Sequence, residues 1–122
     1  MLEAERVIRE RYGEFDLGLA DIAEDVGASP RQLQRVFREV GGTDFRSYLL
    51  KVRMEAAYRL ISRERNAPAI RAAARRVGYR EASGLRQAFL RFYGRNPSSV
   101  RTETVDFDQL WQDEETERRG GR

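Results

Sequence analysis

The chain of 122 residues contains no cysteine and no histidine. That excludes disulfides, thiol nucleophiles, zinc-finger ligation and histidine acid–base chemistry together. No apolar run approaches the length needed to cross a membrane, and Met1 leads into a charged helical pattern, not a signal peptide. A soluble, cytoplasmic protein is expected. There is no glycine-rich phosphate loop, and no carboxylate pair outside helix faces that read as solvated and the C-terminal tail, so an enzyme is the weakest reading and no cofactor or metal is expected. Proline is scarce: Pro30, Pro68 and Pro97 all fall where helices should begin. Lysine is scarcer, with Lys51 alone against 22 arginines. Arginine suits paired hydrogen bonds to guanine and phosphate. A GC-rich genome would give the same bias, and composition alone does not separate the two readings.

What the chain does contain, it contains twice. Leu33, Val36, Phe37, Val40 and Gly42 stand 52 positions before Leu85, Ala88, Phe89, Phe92 and Gly94. Upstream, Leu19, Ile22, Ala23, Val26 and Gly27 stand 51 positions before Ile70, Ala73, Ala74, Val77 and Gly78. The offsets differ by a single inserted residue. Each copy is a short helix, a glycine turn and a second amphipathic helix, which is the sequence form of a helix-turn-helix. At this length the chain is one small domain or two closely joined subdomains.

The net charge of +3 conceals an asymmetry, because residues 1–101 carry +7 and residues 102–122 carry −4. A basic body with an acidic tail points toward a polyanionic partner. In chain order, residues 2–12 read as an amphipathic helix, with Leu2, Val7 or Ile8, and Tyr12 available for packing, stopped by Gly13. The next helix, 19–26, turns at Gly27. Ser29 is a good N-cap, and Pro30 opens a helix to about Val40 that presents Arg31, Gln32, Gln34, Arg35 and Arg38 outward. Arginine can pair with guanine and glutamine with adenine. An ordinary solvated face is the alternative, but the helix-turn-helix setting and the charge favour DNA. Arg31, Gln32 and Arg35 lie nearest the helix N-terminus, the part that reaches deepest, and Arg38 is placed for a phosphate. After Gly41 and Gly42, Thr43 or Asp44 caps a helix over 45–61 whose stripe of Phe45, Tyr48, Leu49, Val52, Ala56 and Leu60 should touch both helix pairs. Asn66 and Pro68 open the next helix, Tyr79 should pack beneath Gly78, and a last helix should run from Ser98 to about Val105.

Residues 19–101 resemble the DNA-binding domain of AraC/XylS-type transcription regulators. The resemblance rests on Ala23, Ser29-Pro30-Arg31, Leu33, Arg35 and Phe37; on Tyr48-Leu49, Arg53 and Ala57; and on the run G-[FY]-x3-S-x5-F-x4-G-x2-P-S-x2-R, carried by Gly78-Tyr79, Ser83, Phe89, Gly94, Pro97-Ser98 and Arg101. It implies an all-α fold of about seven helices, divided into a first helix-turn-helix subdomain (1–44), a linker helix (45–62), a second subdomain (63–105) and an acidic tail (106–122). It also implies two recognition helices in successive major grooves, with Arg80, Ser83, Arg86 and Gln87 as the contacts of the second copy. One chain would read an asymmetric duplex site as a monomer, as an activator of transcription with RNA polymerase as a further partner. A linker of about 25 Å is shorter than the groove spacing of about 34 Å, so either packing adds reach or the DNA bends.

This chain departs from the family pattern in its second copy. Gln87 stands where arginine is common, Leu90 replaces a usual basic residue, Leu85 replaces an aromatic and Ala73 a larger aliphatic, while Gly84 lowers helix propensity. The second subdomain is therefore expected to be less tightly packed and less basic on its reading face. Most of the family carries a sensor domain; none is present here, which leaves a single-domain member or an isolated DNA-binding domain. In the tail, Phe107, Leu110 and Trp111 alternate with acids, a pattern open to docking on the body, to disorder or to contact with a partner. The different-class alternative for the whole chain is a helical protein-interaction module that reads no DNA.

Overall fold

A computed structural model describes residues 1–62 and 69–100. These residues form six helices: α1 (Leu2–Arg11), α2 (Leu19–Val26), α3 (Pro30–Glu39), α4 (Phe45–Ser62), α5 (Ile70–Arg76) and α6 (Ala82–Tyr93). Residues 97–100 are helical as well, and no strand occurs among the described residues. The fold is all-α. The expected helix start at Asn66 and Pro68, most of the helix from Ser98 to Val105, the domain boundaries at 63 and 105, and the acidic tail lie outside the described residues.

Local chemistry accounts for the helix ends. α1 has Glu3 and Glu5 in its first turn and Arg9 and Arg11 in its last, which complements the helix dipole. The Asp21 carboxylate accepts the Gly18 N–H at 2.8 Å before α2. Of the two candidate caps for α4, Asp44 takes the position: its carboxylate accepts the Ser47 N–H at 2.8 Å.

Two hydrophobic clusters share α4. The first joins α1, α2 and α3 to Phe45, Tyr48, Leu49 and Val52; the second joins α5, α6 and Val100 to Met54, Ala56, Ala57 and Ile61. At 3.6 residues per turn, Met54, Ala57 and Ile61 lie on the side of α4 opposite the Phe45–Tyr48–Leu49–Val52 face. The stripe read from the sequence is thus one of two buried faces, and Ala56, which lies on its side of the helix, joins the second core. Leu60, expected in the stripe, is only half-buried, and Ile61 takes the interior position. Phe37 and Phe89, equivalent in the two copies, are both fully buried against aromatics of α4: Phe37 with its ring centroid 6.0 Å from that of Tyr48, and Phe89 6.4 Å from that of Tyr58.

Three apolar residues do not go where periodicity puts them. Leu2 is 82% exposed, because it opens α1 ahead of the first packed turn at Ala4. Val40 is 71% exposed: α3 ends at Glu39, and the chain turns back through Thr43 N–H to the Phe37 carbonyl. Phe92 is 40% exposed, and Tyr93 occupies the inner position with its ring 4.7 Å from Phe89 and 5.2 Å from Tyr58. Burial raises the Tyr93 phenol pKa, and the nearby Glu55 carboxylate adds to the shift.

The two halves meet around one side chain. Arg53 lies on the flank of α4 between its two buried faces. Its Nε donates to the Tyr12 carbonyl at 2.9 Å and its Nη2 to the Glu14 carbonyl at 2.7 Å. Its guanidinium lies 5.6 Å from the centroid of the Tyr79 ring. Gly78, at φ 96°, admits this packing, since a Cβ there would fall 2.7 Å from the guanidinium atoms. Tyr79 therefore packs beside Gly78 and against Arg53. Gly13 is also more than a helix stop: a Cβ on it would lie 2.8 Å from the Arg76 carbonyl oxygen, so the α1–α2 loop presses directly on the end of α5. Burial lowers the Arg53 pKa, with the Tyr79 hydroxyl opposing the shift, and burial raises that of Tyr79.

Arg53→Met keeps the length of the side chain and removes both bonds to the loop. Urea unfolding should show a loss of about 1.5–3 kcal/mol. Arg53→Lys should recover only part of it, because an ammonium lacks the planar fork that reaches two carbonyls. An Arg53→Met protein as stable as the parent would remove Arg53 from this role.

Candidate nucleic-acid interface

α3 is built to begin abruptly. The Ser29 Oγ accepts the Gln32 N–H at 3.1 Å, and the Gln32 Oε1 accepts the Ser29 N–H at 2.9 Å. This reciprocal capping box, with Pro30 as the first helical residue, fixes the N-terminal turn. Leu33 and Phe37 bury one side. Arg31, Gln32, Gln34, Arg35 and Arg38 are all exposed. Arg31, Arg35 and Arg38 follow at i, i+4 and i+7, a single stripe opposite the buried side. None of the three side chains forms an ion pair or hydrogen bond among the described residues.

Gln32 differs from the others. Its side-chain oxygen is engaged by the cap, which leaves its NH2 group as the part most available to another molecule. Gln34 and Arg38 flank a cleft of about 680 Å³ that also involves Leu17, Phe45 and Arg46, toward the start of α4.

The matching face of α6 carries Ser83, Arg86, Gln87 and Leu90, all exposed. At the 52-residue offset these replace Arg31, Gln34, Arg35 and Arg38, so three arginines on the first face become one on the second. Leu90 is 49% exposed on that face. α6 has no side-chain cap at Glu81. Leu85 and Phe89 are nevertheless fully buried, and Tyr79 packs over Gly84, where a Cβ would meet its ring at 3.2 Å. The small residue at 84 thus makes room for Tyr79, and these inner positions of the second unit are well packed.

Arg80 is drawn away from the α6 stripe. Its Nη2 donates to the Asp16 carboxylate at 2.9 Å, and its guanidinium lies 4.8 Å from the Phe15 ring centroid. Both partners of the ion pair are largely exposed, so it contributes little to stability. Its consequence is positional, tying the turn of the second unit to the loop of the first. On the first unit, Arg11 is held charged chiefly by Glu14 and then by Asp25, while Arg11 lowers the Glu14 pKa.

Two arginines that no sequence motif singles out stand beside Arg80. Arg71 and Arg75, exposed on α5, line a cleft of about 390 Å³ with Arg80, Glu81 and Ala82. Among the described residues no group of acids could hold a metal ion, and no helix is long and apolar enough to cross a membrane.

Comparison with known proteins agrees with this geometry. A helix-turn-helix domain family matches residues 22–103. The transcriptional activator RhrA of Rhizobium meliloti is 31% identical over 94 residues, which cover 77% of this chain and 30% of RhrA. The chain spans about a third of the length of the curated relatives it matches. Among solved structures, the C-terminal domain of AraT, a response regulator from Geobacillus stearothermophilus, is 31% identical with a TM-score of 0.76, covering 82% of this chain and 81% of that one. The DNA-binding domain of the global transcriptional factor AdpA, solved with a target DNA, is 25% identical with a TM-score of 0.74, covering 84% of this chain and 89% of that one. With its paired helix-turn-helix units on a shared α4, the chain belongs to the AraC-type helix-turn-helix family of transcription regulators.

Proposed function

We propose that this chain binds duplex DNA by sequence and regulates transcription, with α3 as its principal reading helix and α6 as the second. The observation that carries this reading is the exposed stripe of Arg31, Arg35 and Arg38 on a helix whose first turn is fixed by a capping box. Exposed guanidinium groups at the N-terminal end of a recognition helix are suited to the O6 and N7 acceptors of guanine, and those further along to phosphate. The AdpA domain crystallised on DNA and the activator RhrA support DNA binding and activation here.

The two reading faces are not equivalent, so one chain addresses an asymmetric site as a monomer. On the first face Arg31 and Arg35 read bases, Arg38 and Gln34 stand toward the adjoining strand, and Gln32 contributes the N–H donors of its NH2 group. On the second, Arg86 and Gln87 read bases, and Ser83 offers a smaller contact. Acting on chromosomal DNA, the protein works in the cytoplasm, and activation brings it beside RNA polymerase.

Selection of binding sites from random duplexes tests this directly and should return an asymmetric motif. Arg35→Ala should cost about 1–3 kcal/mol on the selected site and relax one base position. Equal weakening on every sequence would make Arg35 a phosphate contact instead. Gln32→Glu retains the acceptor needed by the cap and removes the donor. Its folding stability should stay within about 0.5 kcal/mol of the parent while preference at one position falls. A retained preference would show that Gln32 serves the cap alone. Gln87→Ala should relax a base in the other half of the site, and an unchanged motif there would remove Gln87 from the reading face.

A further inference from the structure

The inserted residue between the two offsets allows the first helices of the two units to be compared position by position. At the 51-residue offset, Arg71, Arg75 and Arg76 of α5 stand where α2 carries Ala20, Glu24 and Asp25. The reading helices show the opposite trend, three arginines on the α3 stripe against one on α6. Positive charge has therefore moved from the second helix of the unit to the first. In a helix-turn-helix the second helix enters the major groove and the first crosses the sugar–phosphate backbone. Charge on the first helix is placed for phosphate, not for bases.

The local geometry fits this. Arg71 and Arg75 lie one turn apart on α5 and open with Arg80 onto one cleft beside the first residue of α6. Arg71 and Arg75 form no ion pair or hydrogen bond among the described residues, so their donors face solvent. Two carboxylates are close: Glu81 lines the same cleft, and Asp16 binds Arg80. Asp16 largely offsets Arg80, and Glu81 shares the cleft with two guanidinium groups that have no ion pair among the described residues. A net positive seat remains.

We propose that Arg71 and Arg75 form a phosphate seat that receives the DNA backbone next to α6. The second unit then holds the duplex mainly through phosphates while the first reads bases mainly through α3. The proposal rests on the DNA-binding reading above and adds to it a site on α5 that contributes affinity without sequence preference. The ligand is a backbone phosphodiester of duplex DNA, and Arg80 assists once it leaves Asp16.

The test is a salt titration. Affinities of the parent chain, Arg71→Gln, Arg75→Gln and the double variant are measured from 50 to 200 mM KCl on two duplexes, the selected site and a scrambled sequence of equal length. Each substitution should lower the slope of log affinity against log salt by about 0.9, equivalent to an affinity ratio between the two salt limits smaller by about 3.5-fold. Both duplexes should weaken by the same factor, leaving the specificity ratio unchanged. Arg6→Gln is the control: it removes the same charge from the exposed face of α1, where Arg6 is held by Glu3 and Glu10, and should leave the slope in place. An unchanged slope in the double variant, a loss confined to the selected duplex, or an equal loss in Arg6→Gln would each overturn the seat. Failure of the parent to bind DNA would overturn the DNA-binding reading as well, whereas parental binding with an unaltered double variant would reject the seat alone.

Discussion

The arrangement of the whole molecule depends on one guanidinium group. Arg53 donates to two carbonyls of the α1–α2 loop and stacks near Tyr79 in the turn of the second unit. Each half has its own core, and α4 serves both, but a shared helix alone would leave the halves free to rock about its axis. The hydrogen bonds of Arg53 fix that angle, and three neighbours reinforce it: the close approach of Gly13 to the Arg76 carbonyl, the absence of a Cβ at Gly78, and the Arg80–Asp16 pair. Burying a cation is costly unless its donors are satisfied. Two carbonyl acceptors and an aromatic face meet that condition, though burial still lowers the Arg53 pKa.

This constraint gives meaning to the difference between the two copies. Were the units free to move, each would need to find and hold its own stretch of DNA. Held rigidly, they can specialise. The first unit presents exposed arginines on α3. The second presents a mixed face of Ser83, Arg86, Gln87 and Leu90 on α6, with its arginines on α5. Counterion release scales with the phosphates neutralised and is indifferent to sequence. In the proposed arrangement the phosphate contacts of the second unit add affinity that is independent of sequence to whatever base preference Arg86 and Gln87 contribute.

Much of this was legible in the sequence, for identifiable reasons. The helix pairs were visible because apolar spacing and turn glycines recur at a nearly constant offset, and Ser29-Pro30 marked the start of α3 to the residue. Periodicity gives α4 a single stripe because a pattern within one helix cannot show that it is packed from two sides; Met54 and Ile61 become interior only once a second core exists. Val40 and Phe92 were misplaced for a related reason: the chain turns away at the end of each helix, and the next residue or the next turn takes the inner position. Gln32 looked like a base reader because its type suits adenine, and a capping box uses the same side chain. Arg53 carried a family resemblance but no visible task, since its partners, two carbonyls 41 and 39 residues away, have no side-chain signature. Arg71 and Arg75 were accessible in principle. Comparing the polar positions of the two copies, and not only the apolar ones, exposes the reversal of charge between α2 and α5.

The length of the linker leads to the same division of labour. The residues of α4 in the first core centre near Tyr48 and Leu49, those in the second near Ala57, so the cores are separated by about 13 Å along the axis. Packing on opposite faces adds about 8–10 Å to each side. The resulting diagonal is roughly 21–24 Å, longer than the axial distance but short of the about 34 Å between successive grooves on straight DNA. Packing thus supplies part of the missing reach and not all of it. Either the DNA bends toward the protein, at a cost of order 1–6 kcal/mol, or one unit rides nearer the backbone than the other. In the proposed arrangement that unit is the second, whose Arg71 and Arg75 line one cleft with Arg80. The reading face of α6, with one arginine against three on α3, accords with that position.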